Sequence, residues 1–257
     1  MPLLEEFIVG SVFTFIMVFV RIGSAMMIMP GIGDSFVPTN IRLYMALSIS
    51  VVLAPLLSQY IPAQVPSTTL LFMLIISEFI IGIFFGIIAR IFMAALDTAG
   101  MAISLSSGLA NAQLFNPIAS SQGSIMGAFL SVTGLVVLFS SNLYHLLIYG
   151  LVGSYESFPV GQIPDSGSMA ELVARAVAES FLIGIQIATP FLVIGLLLYI
   201  GMGVLSRLMP QVQVFILTIP IQILVSLITM TLVISVAMLF WLGRFEDGIS
   251  FFLTQTR

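Results

Sequence analysis

The sequence predicts an all-α polytopic membrane protein, and three observations carry that prediction. Hydrophobic residues fill 60% of the 257 positions and charged residues only 7%, against about 25% charged in an ordinary soluble domain. The apolar runs are long, continuous and rich in leucine and isoleucine, whereas a membrane barrel is built from short segments of alternating polarity. Six of these runs are of the order of the ~20 residues that an α-helix needs to cross the hydrocarbon core. Only helices and closed barrels pair every backbone group inside a bilayer, so helices remain.

The runs cover about 7–29, 43–61, 70–93, 125–152, 174–205 and 214–242, and together they are read as a single integral-membrane domain over 1–257. The opening MPLLEEF has neither the positive charge nor the small-residue cleavage site of a removable signal, so the first run is expected to stay as a span. Residues 30–42, PGIGDSFVPTNIR, close a tight hairpin in which Asn40 is expected to cap the second helix. Residues 61–69, IPAQVPSTT, form an equally short turn, with Thr68 or Thr69 as the cap of the third. After Met93 the helix is expected to continue through residues 94–103, with Asp97 as its only charge.

Residues 154–171 form the only long hydrophilic connection and are expected to face solvent. Pro190 and Pro220 lie inside the fifth and sixth runs, where each removes a helical hydrogen bond and is expected to bend or break its helix. The sole tryptophan, Trp241, sits just before the polar tail and is read as an interface anchor. Arginines near the loops divide almost equally between the two faces, so charge gives no orientation.

One stretch departs from this pattern. Residues 104–124, SLSSGLANAQLFNPIASSQGS, carry hydroxyls, amides, two glycines and a proline but no charge. Irregular backbone of that kind is not tolerated against lipid, and a freely solvated loop normally carries formal charges. The stretch is therefore read as backbone held inside protein, as a constriction or stopper. Gly108 and Gly123 supply hinges, Pro117 keeps Asn116 extended, and Leu109, Leu114 and Phe115 supply bulk that would close a pore. The alternative is a re-entrant connection that only fills a gap between helices.

Three charges fall within or beside apolar runs: Arg21, Glu78 and Asp97. Each is expensive in lipid, so each is expected to face protein or water. They serve either as a proton or ion relay or, on the structural reading, as an ion pair that locks helices or subunits together. Glu78, Gly82, Gly86 and Arg90 follow one another at intervals of four and share one helix face, which permits close helix contact.

Several functions are excluded. All seven basic residues are arginines, scattered in a chain of net charge -4, so there is no footprint for nucleic acid. There is no cysteine, hence neither a disulfide framework nor a thiolate metal site. His145 is the only histidine and has no HExxH or serine elbow around it, so it is read as a helix-end residue. No GxxxxGK[ST] loop is present to use ATP. No enzyme activity, cofactor or metal is expected.

From Pro190 onward the sequence PFLVIGLLLYIGMGVLSRLMPQVQVFILTIPIQI resembles the FliR family of flagellar export-gate subunits, called SctT in injectisomes. The resemblance lies in Gly201, Gly203, Arg207, Pro210, Gln211, Val214, Phe215 and Pro220. It extends to Glu78, Gly82 and Gly86, to GLANAQLFNP at 108–117, to His145, to SYESFPVG at 154–161, and to Arg21, Pro30, Pro38 and Arg42 in the first hairpin. The sequence departs from the family at Tyr199 or a neighbour and at Gln213, where such proteins often carry asparagine, and at Asn116, where an aspartate is common.

The resemblance implies one subunit of a type III export gate in the bacterial inner membrane, at the flagellar basal body. It implies assembly with FliP-like and FliQ-like subunits, contact with an FlhB-like switch subunit, a helical cone-shaped complex, and passage of unfolded flagellar export substrates. It also implies that Gly108, Leu109, Phe115, Asn116 and Pro117 belong to a plug. A secondary transporter with a midplane polar site would suit the proline-interrupted helices and intramembrane charges, though no inverted repeat is evident. An intramembrane hydrolase lacks a constellation of catalytic residues.

Overall fold

The computed structural model describes residues 2–62, 66–110, 124–161, 166–209 and 214–254. Among them are seven α-helices, one 3-10 turn and no strand. The helices are α1 (Pro2–Ile28), α2 (Thr39–Leu57), α3 (Thr68–Ser106), α4 (Ile125–Ser140), α5 (Tyr144–Ser157), α6 (Ser166–Leu208) and α7 (Val214–Thr254). Five of the described helices are long and apolar enough to cross a membrane; α4 and α5 are so only as a pair, bent by 78° at the break between them, and count as a sixth span or as a re-entrant pair. The fold is all-α and polytopic, as composition requires.

Local details correct the sequence reading in several places. Pro38 rather than Asn40 stands at the cap of α2, with no side-chain cap bond; its ring holds φ at -58°, a value already suited to a helix start. α3 begins at Thr68, and the amide of Leu71 donates to the carbonyl of Ser67 at 2.9 Å, so both threonines lie in the first turn. The fourth apolar run is not one helix, because Asn142 adopts φ 60° between α4 and α5. Asparagine tolerates this left-handed region better than other non-glycine residues. Neither Pro190 nor Pro220 breaks its helix; one missing backbone bond is small against the many on either side in helices of 43 and 41 residues. The connection at 154–171 is largely helical, since α5 runs to Ser157 and α6 starts at Ser166; Ser154 and Tyr155 are buried, while Glu156, Gly161, Ser166, Gly167, Ser168, Ala170 and Glu171 are exposed as expected. Trp241 is not an interface anchor: it is fully buried, with its ring 5.3 Å from that of Phe245.

Contacts group the chain into two compact units. The first comprises Met1–Phe92, Asn142–Ala176 and Glu246–Arg257. Its core holds Met17, Ile22, Leu57, Ile81, Phe85 and Tyr155. Gly150 of α5 lets the Phe85 ring and Ile249 approach to 3.0 and 3.2 Å of where a Cβ would stand. The second unit comprises Met93–Ser141 and Val177–Phe245, with Leu96, Ile103, Leu130 and Trp241 in its core. In it α6 lies against α3: a Cβ at Gly184 would come within 2.9 Å of the Ala95 carbonyl, and one at Gly195 within 3.2 Å of the Ser106 carbonyl.

Candidate functional site

Two arrangements of polar residues stand out, one in each unit, and they are built from opposite chemistry. In the first unit Glu78 lies ten residues into α3 and is fully buried. A bare carboxylate there is costly, and Arg21 of α1 meets it. The guanidinium binds it in a fork, Nε to Oε2 at 2.6 Å and Nη2 to Oε1 at 2.7 Å, with both side chains fully buried. Nη1 donates to the carbonyl and hydroxyl of Ser154 at 3.1 and 3.3 Å, and Nη2 also donates to the carbonyl of Phe158 at 2.9 Å. All five N–H donors of the arginine therefore have acceptors. The ring of Tyr155 lies 3.9 Å from the guanidinium carbon, within cation–π range.

The helix face read from sequence explains how the pair comes together. Glu78, Gly82, Gly86 and Arg90 all meet α1, in the order Arg21, Ser24, Ala25 and Ile28, so the two helices run in the same direction. A Cβ at Gly82 would overlap the Ser24 hydroxyl and the Arg21 carbonyl, and one at Gly86 would come within 2.9 Å of the Ala25 carbonyl. Glycine is needed there because α1 backbone occupies the space of a side chain. Past Gly86, Arg90 pairs with Asp34 at 2.8 Å.

In the second unit the end of α3 and the start of α4 form an antiparallel hairpin whose loop is the neutral stretch. Three contacts close it. The Ser131 hydroxyl donates to Asp97 at 2.6 Å; Gly100 and Gly127 meet with no room for a Cβ on Gly100; and Ser104 Oγ lies 2.6 Å from Ser124 Oγ. Ser124 caps α4, accepting from the Gly127 amide at 3.1 Å and donating to the Gly100 carbonyl at 2.9 Å. With that proton committed, Ser104 is the donor to Ser124. Gly108 turns the chain with φ 75°, and the amides of Ala110 and Leu109 fold back onto the Ser104 carbonyl and Ser107 hydroxyl at 3.0 and 3.4 Å. Gln222 of α7 donates to the Ser106 carbonyl at 3.2 Å, satisfying a helix-end acceptor.

The residues singled out from sequence divide accordingly. Arg21, Glu78, Gly82 and Gly86 are brought together; Asp97, exposed and bonded to Ser131, belongs to the hairpin. Gly108 is buried and Leu109 half-buried at the hairpin's neck. Arg207 is exposed in the last turn of α6. Leu114, Phe115, Asn116, Pro117, Pro210 and Gln211 lie outside the described residues, as does the hinge at Gly123. His145 is at a helix start, its Nδ1 3.2 Å from the Asn142 carbonyl. Sequence reasoning did not single out Ser104, Ser124 or Gly100. A serine immediately before the apolar run at Ile125 was an available capping signal; nothing in the sequence pointed to Gly100 meeting Gly127.

The fold and these two arrangements define a class: a polytopic helical membrane protein with a fully buried ion pair between two helices and a hairpin whose loop carries no charge. Residues 12–248 match the profile of the bacterial export proteins, family 1, and the chain belongs to that family. It is 35% identical, over 94% of its length and 96% of the relative's, to the flagellar biosynthetic protein FliR of Caulobacter vibrioides. To the FliR of Aquifex aeolicus it is 28% identical, over 96% and 94% of the two chains. To the Yop proteins translocation protein T of Yersinia pestis it is 32% identical over 59% of each. The resemblance to the FliR/SctT family is thus more than local.

Proposed function

We propose that the chain is a FliR-type subunit of the flagellar type III protein export gate, and that residues 104–124 form a plug that keeps its channel closed to ions until unfolded flagellar proteins pass. The observation that carries the reading is the closure of the α3–α4 hairpin, whose two ends are tied by Ser104 and Ser124 at 2.6 Å. A loop anchored at both ends and free of formal charge is a suitable stopper. Its described ends are held by neutral groups, so parting them separates no buried ions.

Assembly with FliP-like and FliQ-like subunits, and contact with an FlhB-like one, is supported by the length of α3. Exposed apolar side chains lie on α3 from Leu70 to Ile87 and again at Met101 and Leu105, with the two ends about 53 Å apart along the helix. A helix tilted by 40° crosses the bilayer core in about 39 Å, so part of that apolar face needs protein to cover it. The transporter reading fares worse, because Arg21 has no donor left for a substrate and no exposed surface. Within this proposal the chain is one membrane domain of the bacterial inner membrane, at the flagellar basal body.

Deletion of residues 109–118 in the assembled gate tests the plug. Ion conductance across the membrane should rise when the deleted gate is expressed; an ion-tight membrane with normal assembly would reject it. Purification tests the assembly: a protein that is stable alone and transports a small solute in liposomes would favour the transporter.

A further inference from the structure

Gln222 of α7 meets the chain where the end of α3 gives way to the neutral loop, although the two lie 116 positions apart in sequence. It is 2% exposed, and a buried carboxamide is costly unless it is hydrogen-bonded. Thr218, Ser226 and Thr229 share its buried face of α7 at helical spacing. Thr229 returns its hydroxyl to its own helix, donating to the Val225 carbonyl at 2.8 Å. Gln222 instead reaches across to another helix, and its Nε2 donates to the Ser106 carbonyl at 3.2 Å.

The carbonyls at the end of α3 are served from two directions. Ile103 accepts from the Ser107 amide at 2.8 Å and Ser104 from the Ala110 amide at 3.0 Å, so both are satisfied by the chain that follows them. Ser106 stands closer to the loop than either and is served by α7. It also meets α6, where a Cβ at Gly195 would come within 3.2 Å of its carbonyl and 3.4 Å of its Cβ. The last turn of α3 therefore touches both α6 and α7, within the second unit.

Resting on the plug reading, we propose that Gln222 is the latch of the gate: its bond to Ser106 holds the last turn of α3, and with it the neck of the 104–124 loop, in the closed position, and parts when the loop moves aside. Two features suit it to that use. The bond sits at the junction of helix and loop, so any movement that shifts Ser106 must lengthen it. It joins an amide to a carbonyl, so its loss strands no charge. A bond of this kind between membrane helices weights the closed state by a factor of about three, enough to bias a gate without fixing it.

The test is ion leakage through the assembled gate in membrane vesicles, measured without export substrate and across pH 5 to 8, a range chosen to titrate a carboxyl of about pKa 4–6. Gln222→Met keeps the length of the side chain and loses the donor; it should raise leakage about threefold with assembly unchanged. Gln222→Glu keeps the shape and makes the donor depend on pH. The introduced carboxyl donates through its O–H when protonated; when ionised it only accepts, and it repels the Ser106 carbonyl. Leakage in this variant should therefore rise with pH, a rise absent from the parent and from Gln222→Met. In a gate lacking residues 109–118 neither substitution should add leakage, because the latch acts through the plug.

Parent-like leakage in Gln222→Met overturns the latch. A flat pH profile in Gln222→Glu also does, since the side chain then only fills space, as does leakage added in the deleted gate. Loss of assembly in both variants overturns it too and makes Gln222 a residue of the fold; if Gln222→Met alone fails to assemble, the pH profile of Gln222→Glu decides. Each of these failures leaves the plug standing as long as the 109–118 deletion leaks. If that deletion is ion-tight, the plug reading fails first and the latch falls with it.

Discussion

Arg21 and Ser124 both tie helices together, and they do so at opposite ends of the electrostatic scale. Arg21 is fully buried, uses every donor it has, and joins α1, α3 and α5 through a carboxylate, a hydroxyl and two carbonyls. Ser124 ties α3 to α4 through neutral hydroxyl, amide and carbonyl groups alone. Removing one member of a buried ion pair strands the other in a medium that cannot solvate it, whereas parting two hydroxyls strands no charge. The first arrangement is suited to permanence and the second to reversible opening.

The comparison breaks most readily at Glu78. Glu78→Ala should destabilise the protein by about 3–5 kcal/mol and abolish assembly, read as loss of the complex on a native gel. The double replacement Arg21→Met with Glu78→Leu should recover much of that loss, since it removes both charges. If the double variant is as damaged as the single, the pair does more than lock helices. Gly82→Ala comes next. It pushes α1 from α3 and should cost about 1–3 kcal/mol, the usual range for overpacking, measured as a lower midpoint of thermal unfolding in detergent.

Smaller effects sharpen the other side. Ser124→Ala removes a helix cap and should cost about 1 kcal/mol, and its coupling to Ser104→Ala in a double-mutant cycle should be about 0.6 kcal/mol, as for other hydrogen bonds between membrane helices. Both variants should assemble, and both should raise ion leakage by less than the 109–118 deletion does. A serine variant that prevents assembly would show the hairpin to be as structural as the ion pair. The smallest change is expected from Asp97→Asn, because an amide oxygen accepts the Ser131 hydroxyl as a carboxylate does; assembly and leakage should match the parent protein.

Much of the first arrangement was legible because its signals are local. The interval of four from Glu78 to Gly82, Gly86 and Arg90 follows from helix periodicity, and a lone arginine in an apolar run demands a partner. That its partner is Glu78 rather than Asp97 follows from the register of α1 on α3, which no local pattern contains. The hairpin was half legible. Its loop announced itself by neutral polarity, but the Ser104–Ser124 bond joins residues twenty positions apart. Trp241 misled for a similar reason: proximity to a polar tail suggests the interface, yet the space beside Gly134 buries the ring.

By itself, then, the sequence determined the all-α membrane class, the approximate spans, the helix face that α3 turns to a neighbour, and the place of the one irregular neutral segment. These depend on hydrophobicity and on periods of a few residues, which adjacent positions encode. Only tertiary structure decided which charge Arg21 meets, where the fourth run breaks, and that α6 and α7 stay whole across their prolines. Those outcomes depend on how distant backbones approach one another, and the free energy of such contacts is a property of the packed chain.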